Sequence, residues 1–136
     1  MMKIHRLLAP LVLGLTAVTG LATTPAYAAG PDEAMNTEDG DPGGRVEFTK
    51  YGDRVRVCDK EADGYSVWMA VYDHDDNDKF VYQLEARKNG TCLEVYANLA
   101  PEYNLKEDRI YKFAICLDNG EYFKHYCDYA YWTNNE

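Results

Sequence analysis

Residues 72–80, YDHDDNDKF, place Asp73, Asp75, Asp76 and Asp78 within six positions, with His74 and Asn77 between them. Carboxylates this close suit calcium, which takes about six to eight oxygen ligands. A helix-loop-helix calcium loop reads D-x-[DN]-x-[DN]-G with a glutamate at position twelve. Counted from Asp73, the first three ligand places hold Asp73, Asp75 and Asn77, but Asp78 stands in place of the glycine and Leu84 in place of the glutamate. The flanking residues also alternate like strands. What remains is a looser hairpin site, in which Asp73, Asp75, Asp76 and Asp78 would hold calcium. The default expectation is a solvated hairpin tip without a cofactor, because salt screens exposed charges beyond ~8 Å.

The other reactive residue types form no constellation with roles. Ser66 is the single serine and has no G-x-S-x-G elbow around it. Beyond residue 28 the histidines are His74 and His125. Carboxylates are too abundant for any pair of them to signal hydrolysis. No catalytic residue is therefore expected, and a small secreted hydrolase is the third reading. Asn89 opens an N-G-T glycosylation pattern, which is short and carries little information.

Cys58, Cys92, Cys116 and Cys127 are an even set in a small chain, which reads as a disulfide framework with three pairings open. Zinc would want close pairs such as C-x-x-C, and the nearest two cysteines are Cys116 and Cys127. The compartment implied by disulfides agrees with the start of the chain. Lys3 and Arg6 precede an apolar run from Leu7 to about Leu21, and Ala26-Tyr27-Ala28 ends it, the pattern of a secretory signal peptide over residues 1–28. The run is shorter than the ~20 apolar residues of a membrane-spanning helix. A secreted, extracellular protein with no transmembrane segment is the expectation.

The formal charge is −9, and it becomes −11 when the signal leaves with Lys3 and Arg6 and no acid. Such a balance argues against nucleic acid and anionic membranes, both polyanions, and favours a basic extracellular partner. Residues 29–44, AGPDEAMNTEDGDPGG, offer little to bury and read as a disordered acidic leader.

From residue 45 to 136 the texture is that of one β domain. Alternating or apolar runs at 45–51, 54–58, 65–72, 79–86, 92–98, 109–117 and 122–132 read as seven strands, separated by turn residues such as Gly52-Asp53 and Asn119-Gly120. Residues 104–108, NLKED, could form a helical turn. Short strands without helices between them point to an all-β, antiparallel β-sandwich, about seven strands with two disulfides.

Strand parity tests the pairings, since successive side chains point to opposite faces. Cys58 falls opposite Val55 and Val57, Cys92 opposite Leu93 and Val95, and Cys116 opposite Ile115 and Leu117. The order Cys58, Trp68, Cys116 resembles an immunoglobulin-like domain, whose bridge runs through the core. Outward-facing cysteines oppose that bridge and favour Cys58–Cys92 and Cys116–Cys127. The second pairing needs a loop wider than a tight turn at Asn119-Gly120.

The stretch GDRVRVCDKEADGYSVWMAV, with the later CLEVY and YKFAICLDNGEYFKHYCDYAYW, resembles small, largely uncharacterised exported proteins of actinobacteria such as Streptomyces. The resemblance covers residues 52–132. It implies a secreted, disulfide-containing β-sandwich and attaches no catalytic residues.

The aromatic load points to a surface. Parity sets Trp68 and Tyr72 opposite Val67, Met69 and Val71, and Phe80 and Tyr82 lie across the aspartate loop. Trp68 reads either as the core tryptophan or as part of an exposed face. The leading expectation is a monomeric, non-catalytic binding or inhibitory module using Trp68, Tyr72, Phe80 and Tyr82. The alternative is a calcium-assisted or structural extracellular protein using Asp73, Asp75, Asp76 and Asp78.

Overall fold

A computed structural model describes residues 30–87 and 90–136. The signal peptide expected over residues 1–28 and the N-G-T pattern at Asn89 fall outside the described residues. Among the described residues eight strands form, in the order β1 (Glu33–Asn36), β2 (Gly44–Thr49), β3 (Arg54–Asp59), β4 (Ser66–Asp73), β5 (Lys79–Ala86), β6 (Cys92–Val95), β7 (Arg109–Asp118) and β8 (His125–Asn134). They make two antiparallel four-stranded sheets, β1-β2-β3-β6 and β5-β4-β7-β8. The chain is an all-β sandwich. Apart from β1, the strands are distributed as in an immunoglobulin-like domain, with β3 beside β6 and β4 beside β7. Among the described residues no helix is long and apolar enough to cross a membrane.

Alternation builds the core. Val46 and Phe48 of β2 and Val55 and Val57 of β3 point inward from the first sheet, and Val67, Met69, Val71, Phe113 and Ile115 from the second; all are fully buried. Phe48, Phe113 and Trp132 form its aromatic centre, with ring centroids 5.1 Å apart for Phe48–Phe113 and 4.6 Å for Phe113–Trp132. The core tryptophan is therefore Trp132, and Trp68 stands on the other face of its sheet. Parity explains this, because Trp132 pairs with the inward Tyr111, whereas Trp68 pairs with Cys116.

Both disulfides follow the expected pairing. Cys58 and Cys92 are directly opposite in the β3/β6 ladder. Cys116 and Cys127 join β7 to β8, with a Cα separation of 4.2 Å. Two features bring them together: residues 119–124 make the wider loop, and the register shifts between Ile115 and Leu117. Cys116 lies on the outer side of its sheet as parity requires, yet only 4 % of it is exposed, because that side is itself crowded with aromatic rings.

The leader departs from expectation. Residues 33–36 are a strand paired with β2, and Met35 is buried in the core. The following residues are tied in as well: Glu38 N–H donates to the Tyr126 carbonyl, Gly43 N–H to Asp39 Oδ2 and Gly44 N–H to the Thr37 hydroxyl oxygen. One apolar residue at the right register and an open β2 edge outweigh the polar composition. Gly44 permits the crossing, since a Cβ there would meet Val67 Cγ1 at 2.8 Å and Thr37 Cγ2 at 2.9 Å. The helical turn expected at residues 104–108 forms instead at Pro101–Tyr103, where proline presets the backbone angle.

Candidate functional site

The outer face of the β5-β4-β7-β8 sheet is built by register. Phe80 of β5 lies opposite Tyr72 of β4, Tyr72 opposite Lys112 of β7, and Lys112 opposite Tyr131 of β8, so the four form one row across the sheet. The next row runs Gln83, Ala70, Ala114, Tyr129, and a third runs Glu85, Trp68, Cys116. Two alanines in the middle row leave the aromatic rings standing on either side of it. Phe80, Tyr129 and Tyr131 are 52 %, 61 % and 47 % exposed.

Contacts between these side chains fix their orientation. Tyr72 and Phe80 meet edge to face at 5.9 Å, as do Tyr129 and Tyr131 at 6.1 Å. The Lys112 ammonium sits 5.8 Å from the Tyr72 ring and 5.5 Å from the Tyr129 ring, and Lys124 stands 4.8 Å from the Trp68 ring. Trp68 Nε1 donates to Gln83 Oε1 at 3.2 Å. Each cation also has a carboxylate, Asp78 for Lys112 and Asp118 for Lys124. The Asp118 carboxyl is held below its ordinary value by Lys124 first and then by the Gly120 N–H. The result is an aromatic surface whose polar groups are already paired.

Tyr82 does not belong to this face. The β4/β5 register shifts between Val71 and Tyr72, so Phe80 pairs with Tyr72 while Tyr82 pairs with Val71. The extra residue turns Tyr82 inward, and it is 5 % exposed, packed edge to face on Tyr103 at 4.9 Å. Burial pushes its phenol well above the ordinary tyrosine range. In exchange the face gains Lys112, Lys124, Tyr129 and Tyr131, none of them among the residues expected from the sequence. Alternation against Trp132 was the available signal for Tyr129 and Tyr131.

The four aspartates of the loop are distributed among separate partners. Asp73, at the end of β4, accepts bonds from Arg109 Nε at 3.1 Å and Nη2 at 2.9 Å. Asp75 accepts the Ile110 N–H at 2.9 Å, Asp76 lies 3.6 Å from Lys79 Nζ, and Asp78 is 2.7 Å from His74 Nδ1. A single 3-10 turn at His74–Asp76 and left-handed Asn77 and Asp78 point them in different directions. The loop is thereby pinned to β7, beside the aromatic row, and His74 reaches Tyr131 at 4.7 Å.

No family model, curated protein or solved structure matches the chain. Ser66 lies 2.6 Å from Glu85 Oε1 and 3.2 Å from the Asp118 carbonyl, so its contacts are to oxygens rather than to a histidine.

The loop has a defined pH response. The Asp78 carboxyl is held below its ordinary value, by the His74 bond first and by Lys112 second. A carboxylate held low contributes stability above its unfolded-state pKa and loses it as pH falls through the folded-state value. The anchoring of the loop to Lys112 should thus weaken only in acid. In an NMR titration of side-chain carboxyls, His74→Phe should raise the Asp78 midpoint more than Lys112→Met does; an unchanged midpoint in both variants would refute the assignment.

Proposed function

We propose that the protein is a secreted, non-catalytic binding module that engages a net-basic extracellular protein through the outer face of the β5-β4-β7-β8 sheet. The observation that carries this reading is the in-register row Phe80, Tyr72, Lys112, Tyr131, flanked by Trp68 and Tyr129. Aromatic side chains held by their neighbours bury large area at small entropic cost, and such residues dominate binding energy at protein interfaces. Contiguous exposed aromatic surface on a small domain marks an interaction site more often than a structural accident. The charge of −9 favours a cationic partner, because the two lysines on the face are matched by Asp78 and Asp118 and leave the surrounding field acidic. The two disulfides suit an oxidising, extracellular setting.

The test is a pull-down from secreted and cell-wall fractions, followed by affinity measurement with the captured protein. Tyr72→Ala/Tyr131→Ala should weaken binding at least about tenfold with the melting temperature retained. Tyr51→Ala removes an 82 % exposed tyrosine from the β2–β3 turn and should bind as the wild type does. Equal binding by all three proteins would reject the face.

A further inference from the structure

Each sheet of the sandwich ends in two edge strands, whose outer N–H and C=O groups can pair with another chain unless something guards them. Strands β1 and β6 are short, at four residues each, and β6 is bridged to its neighbour. Strand β5 carries Lys79 and Glu85, shifts register against β4, and packs Tyr82 on Tyr103 of the Pro101–Tyr103 turn. Strand β8 differs. It is ten residues long, and from Tyr129 to Asn134 it contains no charge, proline or glycine. Its own register shift lies before that stretch, opposite Ile115–Leu117. Among the described residues, backbone bonds from outside the β7 ladder reach β8 only near its ends, from Glu38 N–H to the Tyr126 carbonyl and from Asp108 N–H to the Asn134 carbonyl.

Two bonds show which backbone groups face outward. The Asn134 carbonyl turns to the β7 side, where it accepts the Asp108 N–H, whereas the Tyr129 N–H donates to Asp128 Oδ1 at 2.8 Å rather than across the ladder. Alternation then directs the backbone groups of Tyr129, Tyr131 and Thr133 away from β7 and those of Ala130, Trp132 and Asn134 toward it. An antiparallel copy of the same strand fits this edge about a two-fold axis at Tyr131. Tyr131 then pairs with Tyr131 of the second copy and Tyr129 with its Thr133, so all three outward residues exchange both bonds. The Tyr129 N–H passes from Asp128 to the Thr133 carbonyl. Ala130 comes opposite Trp132, a small residue against a large one. Asp128 comes opposite Asn134 rather than another acid, and the two Asp128 residues stand ~20 Å apart along the strands, beyond the reach of screened charges.

We propose that the protein forms a two-fold dimer by antiparallel pairing of β8, in place of the monomer expected from its sequence. The sheet order becomes β5-β4-β7-β8-β8-β7-β4-β5, and the row Phe80, Tyr72, Lys112, Tyr131 meets its own copy at Tyr131. The guarded β5 strands become the outer edges, so the assembly closes at two copies. A second copy suits this edge better than a basic strand of another protein, because Tyr129–Asn134 offers no charge to select one. The formal charge of −9 on each copy opposes association at long range, so salt should strengthen the dimer. The pairing rests on strand register and needs no other protein, so its failure would leave the reading of the aromatic face standing.

The experiment is sedimentation velocity of the protein, with both disulfides formed, across roughly 1 μM to 1 mM, the span of weak interfaces, in low and in high sodium chloride. Wild type should pass from monomer to dimer as concentration rises, and do so at lower concentration in high salt. Tyr131→Pro removes an N–H that β7 does not use. Tyr131→Lys sets two ammonium groups opposite each other at the axis. Both variants should stay monomeric throughout while still unfolding cooperatively. Phe80→Ala/Tyr72→Ala leaves β8 untouched and should dimerise as wild type does, which separates strand pairing from stacking of the aromatic faces. The proposal is overturned by a wild type that stays monomeric, by dimers in both Tyr131 variants, by loss of the dimer in the Phe80/Tyr72 variant, or by dissociation in high salt.

Discussion

Phe113→Ala is expected to destabilise the fold by about 3–5 kcal/mol, close to the whole stability of a marginal domain. Phe113 is fully buried and makes the two shortest ring contacts of the aromatic centre, Trp132 at 4.6 Å and Phe48 at 5.1 Å. Truncation removes the transfer free energy of the ring. It also leaves a cavity between two sheets whose ladders cannot close over it, because each strand is held in register by its neighbours. Tyr129→Ala makes the instructive contrast. Tyr129 lies on the opposite side of the same sheet, 61 % exposed, and its loss should cost under about 1 kcal/mol. Urea unfolding of the two variants measures the difference. Similar costs for both would mean that the two faces of the sheet have been assigned wrongly.

Removing the Cys58–Cys92 bridge with Cys58→Ala/Cys92→Ala is expected to cost about 4 kcal/mol, against about 3 for Cys116→Ala/Cys127→Ala. The argument is the loop each bridge closes in the unfolded chain, 34 residues for the first and 11 for the second. Local structure reinforces the order. Strand β6 is a four-residue strand at the edge of its sheet, paired only with β3 and with three of its residues exposed, so the bridge supplies much of what holds it. The last hairpin keeps a ladder of eight paired positions between β7 and β8 when its bridge is gone. Equilibrium unfolding gives the magnitudes, and hydrogen exchange gives the location: β6 amides should lose protection first in the Cys58/Cys92 variant. Loss of protection spread evenly over both sheets would contradict this account.

Much of the face was legible in the chain. Trp68 and Tyr72 sit on it as alternation required, Phe80 joins them from across the aspartate loop, and Cys58, Cys92 and Cys116 lie on the side away from the core as parity required. Tyr82 failed the same rule for a physical reason. A bulge inserts one residue between Phe80 and Tyr82, and a period of two carries no trace of where a neighbour's register slips. Tyr129 and Tyr131 were harder, because Trp132 is as aromatic as they are, and composition does not say which of two adjacent rings points inward. The aspartate run looked like a site because its acids are close in sequence. In space they turn to Arg109, Ile110, Lys79 and His74, while three acids scattered along the chain, Asp53, Glu107 and Glu136, converge.

The sequence by itself determined the all-β class and seven of the eight strands found among the described residues, and it favoured the two disulfides that form. These follow from alternation and turn chemistry, which are properties of a few neighbouring residues. Only the tertiary structure decided that the acidic leader becomes β1, that Tyr82 turns into the core, and that Asn134 meets Asp53 across 81 residues of chain. Each of those depends on which segment lies alongside. An open strand edge, a slipped register and a cluster of three carboxylates come into being only when distant parts of the chain are packed together.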